Sequence, residues 1–356
     1  MLDPSFSQTL ARRQRIVQIH PTRRCNLRCA HCYSTSGPDA PAGLDADVLC
    51  DALTDARSLG FETVAFAGGE PLVYPELGRV LRHAQEIGLR TTVTTNGTQF
   101  RTARFDAAVP FIDALAVSID GPPDVHNKVR VSPTAFDRLE KGLEVVTASD
   151  VPFGIITTLF NGGWDDVEWV GRYAARAGAR LFQIHPLELS GRALHGLQAA
   201  VPAHLTRGRA YLLAAHLREI YGDTMLVHLD LLHRADLIAD PEQFYAGEAG
   251  EVDLPADELG NVALQEDGTV VPIAHGFGPA YAIADVRRER LVDGWTRFAA
   301  QGLDRFRALC RDVHAGLTGP DGPQLVNWTE AVVAASILSP QLQLVRSTTG
   351  SGGQES

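Results

Sequence analysis

A chain of 356 residues is long enough for one large α/β domain with an extension. Its net charge of −11, from 32 basic and 43 acidic side chains, makes it a poor general binder of phosphate backbones, so nucleic acid is not an expected partner. No apolar run approaches the roughly 20 residues of a membrane span, the opening "MLDPSFSQTLARRQR" is polar, and three of the five cysteines are bunched, so neither a membrane protein nor a disulfide framework is expected and a reducing cytoplasm fits best.

Residues 1–14 read as an N-terminal arm. "RIVQIHP" (15–21) predicts a short strand that delivers the chain to a cysteine-bearing loop, and the spacing in 45–60 predicts a helix closed by Gly60. "TVAFAGGEP" (63–71) predicts a buried strand ending in a glycine pair, followed by a helix over 76–88 and a strand over 89–97. A strand over 112–121, a helix over 134–149, a strand over 152–160, a helix over 164–178 and a strand over 180–188 follow. Strands alternating with helices predict right-handed βαβ units and a parallel sheet, here a partial (β/α)6 barrel over 15–190. Residues 191–345 break the alternation. They predict a helix at 204–220, a hairpin at 261–274 turning at Asp267-Gly268, a helix at 302–317 and an N-capped helix start in "VNWTEA" (326–331), giving an α+β extension. The Ser/Gly-rich end, 346–356, reads as a disordered tail.

In α/β folds of this kind ligands gather at the C-terminal ends of the strands. The cysteine loop, "GGEP", "TTNG", "SIDG" and "QIHP" all fall there, which places them in one site. Cys25, Cys29 and Cys32 stand as C-x3-C-x2-C within "RRCNLRCAHCYSTS". Three readings are open. The first is a zinc site completed by His31 or His20, the second is three buried thiols, and the third is a [4Fe–4S] cluster with one iron lacking a protein ligand. Arg12, Arg13, Arg15, Arg23, Arg24 and Arg28 make a local basic patch, either solvated or facing an anion. Gly68, Gly69, Glu70 and Pro71 are a strand-ending turn or a place where backbone can meet a ligand. Asn96, Ser118 and Asp120 have turn-forming alternatives.

The four motifs in order, Cys25-Asn26-Leu27-Arg28-Cys29-Ala30-His31-Cys32, then GGEP, TTNG and SIDG on successive strands, resemble the radical S-adenosylmethionine superfamily. The resemblance covers about residues 15–190 and is nearest to the peptide-maturing and haem-precursor-modifying relatives, whose C-terminal cluster cysteines this chain lacks. It implies one [4Fe–4S] cluster on Cys25, Cys29 and Cys32. The fourth iron would be left for S-adenosylmethionine, whose reductive cleavage gives a 5′-deoxyadenosyl radical. It further implies cofactor contacts from Gly68, Gly69, Glu70, Pro71, Asn96, Ser118, Asp120 and His31. An electron donor such as flavodoxin or ferredoxin would be needed.

The expected reaction is modification of a ribosomally made peptide by crosslinking or epimerisation, with any leader recognition supplied by the extension or a separate protein. Alternatives are an epimerase or dehydratase acting on a sugar or antibiotic intermediate, a tetrapyrrole side-chain enzyme, or a non-enzymatic iron–sulfur or zinc protein. Cys310 lies on an apolar helical face, as does Cys50, and both read as buried thiols; if the reaction inverts a stereocentre, Cys310 is the candidate hydrogen donor. His185 reads as a structural histidine or a pocket residue. His126 and Arg130 follow SIDG, and Arg130 is either solvated or a carboxylate partner.

Overall fold

The computed structural model describes residues 15–245, 247 and 255–349, with side chains through 338. The expected arm lies outside this range, as do 350–356 of the expected tail.

Six strands run in parallel and in chain order: β1 (Ile16–Ile19), β2 (Thr63–Phe66), β3 (Arg90–Thr95), β4 (Ala114–Ser118), β5 (Phe153–Leu159) and β6 (Leu181–Pro186). Between them lie α1 (Ala46–Ser58), α2 (Leu77–Glu86), α3 (Ala103–Ala108), α4 (Pro123–Arg130), α5 (Ala135–Thr147) and α6 (Trp164–Ala177). Local chemistry sets the boundaries. Asp45 caps α1 by accepting from the Asp47 amide at 2.8 Å, and Gly60 turns the chain at φ +95° just beyond it. Thr102 caps α3 through the Phe105 amide.

Val17, Ile19, Val64, Phe66, Val93, Val117, Ile155, Phe182 and Ile184 supply the strands' buried positions. They join Leu49, Leu53, Leu77, Leu81, Leu139, Val170 and Ala174 of the helices in one continuous core. Each large apolar side chain buried there contributes about 1.5–3 kcal/mol. The mixed α/β architecture with a parallel sheet is the one expected.

The sheet does not stop at residue 190. After α7 (His204–Tyr221), β7 (Leu226–Leu229) adds in parallel to β6. At the other edge β9 (Asn261–Leu264) adds in parallel to β1, pairing Ile16 with Asn261 and Ile19 with Leu264. β10 (Thr269–Pro272) and β11 (Ala284–Asp285) continue antiparallel, so the ten-stranded order is β11-β10-β9-β1-β2-β3-β4-β5-β6-β7. The hairpin turns at Asp267-Gly268 as expected, with Gly268 at φ +88° and the Asp267 carboxylate accepting from the Thr269 amide at 2.9 Å. A small second sheet pairs β8 (Leu232–His233) with β12 (Leu325–Val326). The remaining helices are α8 (Arg234–Ala239), α9 (Pro255–Leu259), α10 (Leu291–Gln301), α11 (Leu303–Thr318) and α12 (Trp328–Thr349). Asn327 caps α12 by accepting from the Glu330 amide at 3.1 Å, and the helix extends over the first four residues of the expected disordered tail. No helix among the described residues is long and apolar enough to cross a membrane.

Candidate active site

The loop that leaves β1 carries the three cysteines and is folded back on itself. The Cys25 amide donates to the Gly37 carbonyl at 3.2 Å, and the Gly37 amide donates to Arg23 at 3.1 Å. Each sulfur is supplied with donors. Cys25 Sγ accepts from the Leu27 amide at 3.4 Å and from Asn96 Nδ2 at 3.8 Å. Cys29 Sγ accepts from Arg130 Nη1 at 3.9 Å. Cys32 Sγ accepts from the Ser36 amide at 3.3 Å and lies 3.5 Å from Ser34 Oγ. Burial pushes the Cys25 thiol up to about 12, and the negative charge of Glu70 adds to it; burial also raises Cys29. The N–H donors stabilise the thiolate form of these sulfurs, the form in which a cationic centre would bind them.

The glycine pair after β2 lies against the backbone of this loop. The Gly69 amide donates to the Thr22 carbonyl at 2.9 Å, and the Glu70 amide donates to Arg24 at 3.0 Å. A Cβ at Gly69 would sit 2.1 Å from the Arg24 carbonyl oxygen, and Gly68, at φ +99°, accepts from Ser34 Oγ at 3.4 Å. The immediate steric demand for glycine at position 69 is therefore the packing of one loop on the other. Pro71 is buried and starts a 3-10 turn over Pro71–Val73.

Glu70 is almost wholly buried, at 1% exposure. Its carboxylate accepts from Thr95 Oγ1 at 2.7 Å, the Asn96 amide at 2.8 Å and the Leu72 amide at 3.1 Å, tying the end of β2 to that of β3. Burial raises its pKa, and these donors oppose the rise. Asn96 in turn donates to Asn26 Oδ1 at 3.0 Å and accepts from the Thr98 amide, so it joins the β3 turn to the cysteine loop.

Beyond β4, Asp120 is the hub of a buried network. Its Oδ2 accepts from Arg130 Nε at 2.6 Å, its Oδ1 accepts from the Thr158 amide at 3.4 Å, and its own amide donates to His126 Nδ1 at 3.2 Å. Burial alone would raise its pKa, but Arg130 and the nearby histidines outweigh this and hold it below the usual carboxylate range. Arg130 is buried, not solvated, and links Asp120 to Cys29. His31 Nε2 lies 3.9 Å from Asp120 Oδ2, and its Nδ1 has no hydrogen-bond partner among the described residues; burial lowers its pKa to about 4, which keeps it neutral. Ser118 is half-buried at the end of β4.

Two groups of residues were missed by the sequence reading. Arg192 clamps the cysteine loop, donating from Nη1 to the Cys29 carbonyl at 2.5 Å and from Nη2 to Ser36 at 2.6 Å, while its amide donates to Cys32 at 2.8 Å. Gly191 before it has φ +51°, and a Cβ there would lie 2.0 Å from the Tyr33 carbonyl oxygen. The signal was a Gly-Arg pair just beyond the last barrel strand. The second group is Asp230 and His228 at the end of β7. Asp230 pairs with His185 Nδ1, and its other oxygen is 3.0 Å from His228 Nδ1; Gln183 Nε2 also donates to it, at 3.3 Å. His185 is thus paired and partly exposed at the strand ends. The alternation of "LVHLD" was the available signal.

Cys50 is half-buried on α1. Cys310 is fully buried on α11, beside Phe306 and Leu309 of the same apolar face, and α11 packs chiefly on α8, α10 and α12. That placement matches the expectation of a packed thiol.

The parallel sheet thus brings three thiols on its first loop and acceptor groups at the next three strand ends to one edge. Residues 19–173 match the radical SAM superfamily, and the chain carries a radical SAM domain. It is 32% identical over 181 residues to an AdoMet-dependent heme synthase of Methanosarcina barkeri, covering 50% of this chain and 52% of the relative. It is 27% identical over 308 residues to a PqqA peptide cyclase of Ruegeria pomeroyi, covering 82% of this chain and 77% of the relative. The chain spans about half the length of the first curated relatives it matches. These relatives are enzymes. The solved structure of anSMEcpe with bound AdoMet and a Cp18Cys peptide superimposes with a TM-score of 0.59 at 15% identity, over 94% of this chain and 99% of that one, which shows a shared fold.

Proposed function

We propose that this chain is a radical SAM enzyme that modifies a ribosomally made peptide, using one [4Fe–4S] cluster held by Cys25, Cys29 and Cys32. The observation that carries the reading is the set of three sulfurs on one loop, each with its own N–H donor. Cys50 and Cys310 stand on helices outside that loop. When bound, the cluster and S-adenosylmethionine supply one-electron cleavage of a sulfonium and a radical able to take a hydrogen atom.

The chain's own residues do the rest. Arg192 fixes the loop through its carbonyls, and Asn96 and Arg130 donate to the sulfurs and offset negative charge there. Glu70 and Asp120 provide anionic groups beside the loop, suited to the cationic portions of S-adenosylmethionine, and Ser118 and the Gly68–Pro71 turn border the same space. His185, His228 and Asp230 with Glu188 give the β6–β7 end a polar lining that suits a peptide. The peptide reading is further supported by the length of the match to the peptide cyclase, which spans most of both chains. The higher identity to the heme synthase over half the chain favours a tetrapyrrole as the second reading. A flavodoxin or ferredoxin would supply the electron, and the extension or a separate protein would supply any leader recognition.

Anaerobic reconstitution should load ~4 iron atoms per chain, and alanine at any of the three cysteines should abolish this. The reduced protein should release 5′-deoxyadenosine from S-adenosylmethionine. Loading of about eight irons, or cleavage that survives loss of the cysteines, would overturn the reading. A short peptide encoded beside the gene, offered against a haem precursor, separates the two substrates by the mass change in each.

A further inference from the structure

A second cluster of ligating side chains lies behind the cysteine loop, where β1 meets the β9–β10 hairpin. His20 follows β1 directly and is fully buried, yet neither ring nitrogen has a hydrogen-bond partner among the described residues. Buried polar atoms are rarely left so, and two on one ring call for an explanation. The ring of His275 stacks on His20 with centroids 4.4 Å apart and planes 7° from parallel. Glu266, in the hairpin turn, places Oε2 at 3.1 Å from His275 Nε2. One ligating atom from each of the three residues lies within 4.8 Å of the others.

We propose that His20, Glu266 and His275 bind a divalent transition-metal ion of the zinc class, with the fourth position open to solvent or a small ligand. Two imidazoles and one carboxylate, with one position left open, suit zinc. Tetrahedral bonds of about 2.0–2.1 Å bring ligand atoms to roughly 3.4 Å, so the three groups, already within 4.8 Å of one another, close on an ion as the two rings turn out of their parallel stack. Arg23 Nε lies 3.6 Å from Glu266 Oε1, which leaves Oε2 facing His275 for a single bond to the ion.

The surrounding backbone is built to this arrangement. The His20 amide donates to the Leu264 carbonyl at 2.9 Å, and Gln265 Oε1 accepts from the Gly276 amide at 2.9 Å, which fixes both arms of the hairpin turn. Ile273 is held at φ +63°, a conformation that a β-branched residue rarely adopts, two residues before His275. Tyr33, next to Cys32, sets its ring edge on both imidazoles, with centroids 5.8 and 5.4 Å away. A bound ion would fasten the hairpin to the back of the cysteine loop. This inference does not rest on the proposed substrate or on radical chemistry.

The test uses the full-length, iron-reconstituted protein titrated with Zn2+ and, separately, Co2+. About one zinc per chain should be retained through desalting, beyond the iron. Cobalt should give the visible d–d absorption of a tetrahedral nitrogen–oxygen site without a thiolate charge-transfer band. Because His20→Ala risks the fold, His275→Gln and Glu266→Gln carry the argument, with circular dichroism and iron content unchanged. Each should weaken zinc binding by more than about 100-fold, beyond the 10–100-fold cost of losing a supporting residue. No retained zinc in the wild type, retention unaltered by both variants, or a thiolate band that places the ion on the cysteines would each overturn the proposal.

Discussion

Gly69 separates what a motif says from why its residues are needed. The glycine pair was legible in the sequence as part of a site, but its partner was not. A Cβ there would stand 2.1 Å from the Arg24 carbonyl oxygen, and that oxygen belongs to the cysteine loop's backbone, which cannot rotate away as a side chain can. Gly69→Ala should therefore shift the loop, cost about 1–3 kcal/mol of stability as overpacking does, and lower the iron retained after reconstitution. Denaturant unfolding and iron analysis check both. If the variant keeps its stability and iron and loses only S-adenosylmethionine binding, the glycine serves ligand access instead. The same division holds elsewhere. Glu70, Asn96 and Asp120 could be placed at strand ends from order alone, whereas the Asp120–Arg130–Cys29 chain and the Arg192 clamp could not. Those contacts join residues up to 163 positions apart, and no local pattern encodes them.

At the scale of elements, the ones that escaped the sequence reading share a cause. α10 contains Gly294, which reads as a helix breaker, but a Cβ there would fall 2.4 Å from that of Ala284, so packing on β11 requires the glycine. α4 is short and rich in polar residues, and β7 carries a histidine in four residues, so neither shows enough apolar periodicity to stand out. Yet β7 supplies the partner of His185, and the pairing has a pH signature. For His185, burial lowers the pKa but the charge of Asp230 more than compensates, leaving it above the ordinary histidine value of 6.5. For Asp230, burial raises the pKa and the two histidines bring it below 3.8. The raised histidine contributes stability that is complete below 6.5 and is lost as pH rises through its folded value. The lowered carboxylate contributes stability present above 3.8 and lost as pH falls through its own folded value. Asp230→Asn should thus be most destabilising between those limits, at mildly acid pH, and approach the wild type on either side. Unfolding midpoints across pH 3–9 decide this; a difference independent of pH would show that Asp230 acts through packing or neutral hydrogen bonds.

At the scale of the molecule, the alternation of strand and helix made the barrel legible, but not how its edges end. The sequence suggests a boundary near residue 190, with an α+β extension beyond it. In the structure that extension completes the sheet at both sides: β7 covers β6, and β9 covers β1 along four residue pairs. Charged side chains reinforce the seam. Arg15 Nε donates to Asp257 Oδ1 at 2.7 Å, and the buried carboxylate of Asp55 on α1 accepts from Arg290 Nε and from the Leu291 amide, both at 2.9 Å. Removing residues beyond 190 would bare two strand edges whose faces are apolar, and would strip Asp55 of its donors and uncover the apolar face of α1 that packs on α10. Such edges and faces template association with other chains. A fragment of residues 15–190 should accumulate as aggregate, or as a dye-binding, protease-sensitive species without a cooperative thermal transition, even though it holds every cysteine of the loop. Size-exclusion chromatography, limited proteolysis and calorimetry, run beside the full chain, give the comparison. A soluble fragment that melts cooperatively and retains iron as the full chain does would show that the barrel is self-sufficient, and that β7 and β9 are attachments to it rather than part of its closure.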